Sequence, residues 1–134
     1  MKVLLHLLVI SLITFTSGVD VTTQNIIYHS AKRSEMSSGV MSTDLNRILI
    51  KGKSTLEWQD GHGKAVKTFD IKSVTGALSI EESGEITYQV SAEKTSGRFI
   101  VKKTDKIIRI HALLVTDAKP SIIEFEISAY NVIP

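Results

Sequence analysis

The sequence of 134 residues contains no cysteine and only two prolines. The absence of cysteine excludes a disulfide framework, a cysteine-ligated zinc site, an iron–sulfur cluster and a thiol nucleophile. Sixteen basic residues face 14 acidic ones, so the chain lacks the excess of positive charge that is typical of nucleic-acid binding. Aromatic residues make up only 6% of the chain, which also argues against a base-stacking surface. We therefore expect no nucleic-acid partner.

Local catalytic motifs are missing as well. The sequence has no Gly-x-Ser-x-Gly, no His-Glu-x-x-His, no Walker loop, no dinucleotide fingerprint and no EF-hand spacing. We therefore expect no cofactor and no metal, and we interpret the chain as non-catalytic rather than as an enzyme.

Apolar residues are concentrated at the N-terminus, where Lys2 precedes a run from Val3 to Phe15. The run is shorter than the roughly 20 residues of a membrane-spanning helix, and it ends in the small residues Thr16-Ser17-Gly18. This pattern predicts a signal peptide over residues 1–18 and a single β domain over residues 19–134. Lys2 is the one charged residue of the peptide, so the mature chain keeps 15 basic and 14 acidic residues. It is nearly neutral and has no second run of this kind, so we expect no transmembrane segment.

The predicted destination is the periplasm or the extracellular space. All three asparagines lack the Asn-x-Ser/Thr sequon, which favours a bacterial envelope over a eukaryotic secretory route.

From Asn25 onward, apolar and polar residues alternate with period two between short glycine or aspartate turns. Such alternation indicates β-strands. The clearest strands cover residues 107–115 and 122–132, and pairing them around a loop over residues 116–121 places His111 opposite Glu126. About eight strands in sequential hairpins predict an all-β, antiparallel domain, with an up-and-down barrel as the first choice and a sandwich as the second. No segment is long enough for parallel crossover helices, so doubly wound folds are excluded.

Other segments give weaker signals. We expect the first strand over residues 21–29, a loop or short helix over residues 30–43, and a bulge at Gly52 within one long strand from Leu45 to Trp58. Phe69 is expected to face inward, but Val66 calls for the opposite face. The register across the turn at residues 61–63 therefore stays open.

Candidate ligand-binding residues are few. Met36 and Met41 have adaptable side chains suited to covering an apolar ligand, and Trp58, His62 and Tyr88 complete the set. His62 lies with Asp60 on a glycine-rich turn, which is more simply an exposed polar turn, since two ligands are too few for a metal site.

One hairpin carries five basic residues. They form either a solvated face that opposes aggregation or a surface for an anionic partner: Arg98, Lys102, Lys103, Lys106 and Arg109.

Three functions remain in order of preference. The first is an exported binding or interaction module whose partner is an unknown protein. The second is a carrier of a small apolar ligand in a lipocalin-like barrel, which requires an interior cavity. The third is a small hydrolase or metal-dependent enzyme, and the oligomeric state stays open.

Overall fold

Nine β-strands and one short 3-10 helix form the part of the chain that the computed structural model describes, residues 21–79 and 82–133. The predicted signal peptide lies outside these residues. No helix within them is long and apolar enough to cross a membrane. In chain order the elements are η1 (Val21–Thr23), β1 (Asn25–Glu35), β2 (Val40–Ser42), β3 (Asn46–Lys51), β4 (Thr55–Asp60), β5 (Ala65–Ala77), β6 (Gly84–Ala92), β7 (Thr95–Thr104), β8 (Ile107–Thr116) and β9 (Lys119–Ile133).

The strands form one closed antiparallel barrel. Each of β3 to β8 pairs with the next strand along the chain, β1 pairs with β3, and pairing of β1 with β9 closes a ring of eight strands. The short strand β2 pairs with the end of β1, outside this ring. The prediction of an all-β up-and-down barrel is confirmed, and the sandwich is not the arrangement found.

Strand β1 runs beyond the expected segment. It pairs with β9 from Asn25 opposite Ile133 to Glu35 opposite Ile123. The predicted first strand is confirmed for residues 25–29, but residues 21–23 form η1, and the prediction of a loop or helix over residues 30–43 was wrong. Residues 33–35 of β1 pair with β9 on one side and with β2 on the other, so this part of the chain is extended and hydrogen-bonded.

Large aromatic side chains fill the barrel. The rings of Phe69 and Phe99 meet edge to face with centroids 5.3 Å apart, a favourable arrangement for two aromatic rings. Each of these buried side chains contributes about 1.5–3 kcal/mol through removal of apolar surface from water. Four rings in the interior are at most 1% exposed: Phe69, Tyr88, Phe99 and Phe125.

The two ends of the barrel differ. At one end, which we call the base, the buried side chains of Val21 and Leu78 cover the core, and the Val21 amide donates a hydrogen bond to the Leu78 carbonyl at 3.2 Å. At the other end β1 and β2 form a hairpin around a turn over residues 36–39, and its β1 side stays paired with β9. We call this hairpin, residues 32–42, the arm, and this end the arm end.

The β8–β9 register differs from the expected one by two residues. The strands meet in a two-residue turn at Asp117 and Ala118, both with positive φ (49° and 64°), so Thr116 pairs directly with Lys119. Such a turn fits the twist of a hairpin. A shift of two residues keeps the same faces inward, but it places His111 opposite Glu124 instead of the predicted Glu126.

Two glycine-rich segments are also clarified. Gly52, with φ +54°, lies in the turn between β3 and β4, so the predicted bulge in one long strand was wrong.

A bulge in the β4–β5 pairing lies next to Val66, which is 56% exposed. This bulge lets Phe69 face inward and removes the conflict between the two residues.

Candidate functional site

The structure gathers four of the five candidate residues at the arm end. Met36 and Met41 lie on the arm, Trp58 lies near the end of β4, and His62 lies in the turn between β4 and β5. Tyr88 is 1% exposed and lies in the packed interior. The arm end is therefore the site to describe.

The arm presents apolar side chains to solvent. Met36, Val40 and Met41 are 59%, 58% and 61% exposed. The arm is closed by a turn in which the amide of Gly39 donates a hydrogen bond to the Glu35 carbonyl at 2.8 Å. Within the described residues β2 pairs only with β1, so its other side is a strand edge.

Trp58 lies at the mouth of the barrel, beneath the arm. Its indole Nε1 donates a hydrogen bond to Asn46 Oδ1 at 2.9 Å, and Phe125 packs against the ring edge to face with centroids 5.4 Å apart. The guanidinium carbon of Arg33 lies 5.5 Å from the ring centroid, within the range of a cation–π contact. The indole is therefore fixed from three sides.

Lys67 is a second cation at the mouth. It pairs with Trp58 across the β4–β5 ladder and precedes the inward-facing Phe69 by two residues, so period two directs it inward. Its Nζ donates a hydrogen bond to the hydroxyl of Thr95, whose oxygen lies 2.9 Å from that of Thr116.

His62 lies in a turn that is organised by Asp60. Asp60 Oδ1 accepts hydrogen bonds from the backbone amides of His62 at 2.9 Å and Lys64 at 3.0 Å. These bonds, that of Lys64 first, lower the pKa of Asp60 below its ordinary value. The carboxylate thus has a structural role in the turn. Among residues 21–79 and 82–133, no three side chains of His, Cys, Asp or Glu come together to hold a metal ion.

The interior has little free space. The cavity near the base, between η1 and the inward side chains of β1 and β8, measures about 10 Å³, which is room for one water at most. Binding of a small apolar ligand inside the barrel would require the aromatic side chains to move.

Of the predicted basic hairpin, Arg98, Lys102 and Arg109 lie on the outer face of β7 and β8, whereas Lys103 lines the cavity at the base and Lys106 lies in the turn. On the outer face, Glu124 lies 3.3 Å from Arg109 Nε in an ion pair and 3.2 Å from His111 Nε2. Across the ladder, Lys102 lies opposite Glu85 on one side and Arg109 on the other. Arg109 in turn lies opposite Glu126, so one acidic residue flanks this basic pair on each side, which matches the interpretation as a solvated face.

Sequence reasoning missed the two mouth cations. Arg33 faces inward because the β1–β9 register shifts between Ser30 and Lys32, and strict alternation from Tyr28 would instead direct Lys32 inward. The inward direction of Lys67 could have been predicted from the sequence, since Lys67 lies two residues before Phe69. The open register around Val66 hid that relationship.

Comparison of the chain with protein-family models, with curated proteins and with solved structures finds no match in any of the three.

Proposed function

We propose that this chain is an exported, non-catalytic binding module of the bacterial envelope that holds a protein partner on its arm. The observation that carries the proposal is the exposure of Met36, Val40 and Met41 on the arm, at one end of a barrel whose own core is filled. Val40 and Met41 are consecutive residues of β2 and so present apolar side chains on both faces of the hairpin. Exposed apolar surface of this kind marks interaction sites in soluble proteins.

The free edge of β2 supports the same surface. An unpaired strand edge offers backbone donors and acceptors to a strand of another chain, and neighbouring apolar side chains then supply specificity. The arm offers an edge at Val40–Ser42 and methionine side chains, which adapt to varied apolar shapes. A partner that adds an extended apolar segment along β2 fits both features.

The filled interior favours this proposal over a small-ligand carrier. A carrier of the lipocalin type encloses its ligand, and such ligand sites usually measure roughly 300–1,000 Å³. Here the interior rings are almost completely buried, so the binding surface is proposed on the outside.

Export is proposed from the sequence pattern of residues 1–18. The test is N-terminal sequencing of the protein recovered from its own host. We expect the mature chain to begin at Val19, and a mature protein that begins at Met1 would contradict cleavage.

Partner binding is tested with two matched double variants of the full chain. M36S/M41S removes two exposed apolar side chains from the arm, and I107S/V132S removes two exposed ones near the base. Proteins of the envelope that the tagged wild-type chain retains are purified, and their Kd is measured for all three chains. We expect M36S/M41S to raise the Kd by about tenfold or more, because apolar anchors dominate such interfaces. I107S/V132S should leave it unchanged, and equal Kd values for both variants would refute the role of the arm.

A further inference from the structure

Two cations project into the barrel mouth beside the chain's single tryptophan. Arg33 lies on β1 and contacts the face of the Trp58 ring. Lys67 lies on β5 and pairs with Trp58 across the β4–β5 ladder. Both cations are half-buried, and a partly desolvated charge is more favourable when a partner compensates it.

Within the described part of the chain, neither Arg33 nor Lys67 has a carboxylate within 4.0 Å. The ammonium of Lys67 bonds to the Thr95 hydroxyl, although it carries three donors. The guanidinium of Arg33 has five donors in a planar fork, and its contact is with the face of Trp58. Arg33 therefore has donor capacity directed to the mouth.

The space beside Arg33 is an open groove of about 460 Å³, within the size range of small-molecule sites. Its lining combines the cation with apolar surface, since Leu45 is 62% and Val66 is 56% exposed there. A ligand that fits this lining has a charged group and an apolar body.

Carboxylates in the same groove limit the charge of that ligand. Asp44 and Asp60 also line it, while Asp60 Oδ1 is engaged by two backbone amides of its turn. A ligand with two or more negative charges would meet repulsion from these side chains. The groove beside Lys67 is likewise mixed, with Asp70, Glu93 and Asp117 in its lining. A single negative charge suits Arg33 best.

We infer that the groove at Arg33 is a binding site for a small organic acid with one carboxylate and an apolar or aromatic body. The guanidinium fork pairs with the carboxylate through two parallel hydrogen bonds, and the body of the ligand lies on Leu45 and Val66. Arg33 belongs to the arm, but Met36, Val40 and Met41 do not line the groove, so the variants that test the two proposals are different.

Trp58 fluorescence provides the readout, because the Arg33 guanidinium lies 5.5 Å from the centre of its ring and a ligand that binds Arg33 changes the surroundings of the indole. The full chain is titrated with 4-phenylbutyrate, with its neutral amide 4-phenylbutyramide and with inorganic phosphate, and calorimetry gives a second, independent Kd. We expect saturable binding of 4-phenylbutyrate, with affinity for the amide and for phosphate lower by about tenfold or more. Absence of saturable binding, equal affinity for the amide, or equal affinity for phosphate would each overturn the inference.

Variants assign the site. R33Q should weaken 4-phenylbutyrate binding by about tenfold or more, and R98Q, which removes an exposed arginine from the outer face of β7, should not change it. Thermal unfolding shows whether R33Q is folded. R33K keeps the charge but lacks the planar fork, so it should bind less tightly than the wild type and serves if R33Q does not fold. Wild-type affinity in R33Q or in R33K would contradict the assignment.

Discussion

The indole Nε1 of Trp58 donates a hydrogen bond to Asn46 Oδ1 at 2.9 Å, and Asn46 is only 5% exposed. Asn46 in turn donates from Nδ2 to the carbonyl of Asp44 at 3.0 Å. N46A removes both bonds and leaves the indole N–H without this acceptor. We expect the free energy of unfolding to fall by about 1–3 kcal/mol, measured by urea denaturation followed by Trp58 fluorescence. N131A, which removes an exposed amide, is the control, and equal effects of both variants would contradict the structural role of Asn46.

Gly97 and Gly39 provide a matched pair of alanine substitutions. A Cβ at Gly97 would overlap the carbonyl oxygen of Leu113 and lie 2.9 Å from Leu114 Cα, whereas a Cβ at Gly39 meets nothing within 4 Å. Both residues have positive φ, so each substitution strains the backbone by about 1–2 kcal/mol. We expect G97A to destabilise by about 3 kcal/mol or more and G39A by the backbone strain alone. A G97A variant as stable as G39A in chemical denaturation would show that β7 and β8 are farther apart than described.

Asp60 gives a prediction for acid stability. Hydrogen bonds from the Lys64 and His62 amides hold its pKa in the folded chain below the ordinary value of 3.8. Its contribution to stability is therefore complete above that value and is lost as the pH falls through the lower, folded pKa. D60N keeps an acceptor oxygen but has no charge to titrate, so stability should fall less steeply below pH 3.8. D70N, on the outer face of β5, is the control. The test is the free energy of unfolding of each chain measured as a function of pH. The same pH dependence in D60N and in the wild type would refute the prediction.

Glu124 connects two side chains of β8 on the outer face of the barrel. It lies 3.3 Å from Arg109 Nε and 3.2 Å from His111 Nε2, whereas Glu126 lies 3.9 Å from Lys32 Nζ. These groups are partly exposed, so their attraction is screened by water and salt. We expect E124Q to destabilise by at most about 1 kcal/mol and E126Q by less, with both differences shrinking in 1 M salt. A loss from E124Q that does not change with salt would contradict this screening.

The faces of unbroken strands could be predicted from the sequence. In β8, alternation alone identifies Ile108, Ile110 and Ala112 as inward, and all three are buried. The register of the β8–β9 hairpin could not be predicted, because it depends on whether Asp117 and Ala118 adopt positive φ. Neither residue type requires that conformation, and both registers keep the same faces inward.

The residues that line the barrel mouth were harder to predict from the sequence. Arg33 becomes an inward residue through a register shift with β9, a strand about 90 positions away in the sequence, and no local pattern encodes such a shift. Trp58 and His62 were chosen by residue type and do lie at the arm end. Tyr88 was also chosen by type, but its ring is part of the core, and chemistry alone does not separate these two environments.

The central claim is that the arm is the surface on which this protein binds a partner. Photo-crosslinking in the protein's own host tests it most directly, with a photoreactive residue placed singly at Met36, Met41, Ile107 or Val132 in the full chain. We expect one discrete crosslinked species from the two arm positions, which disappears when an excess of chain without the photoreactive residue competes for the partner. The two positions near the base should give none. The same species from all four positions, or crosslinks from Ile107 and Val132 alone, would contradict the account.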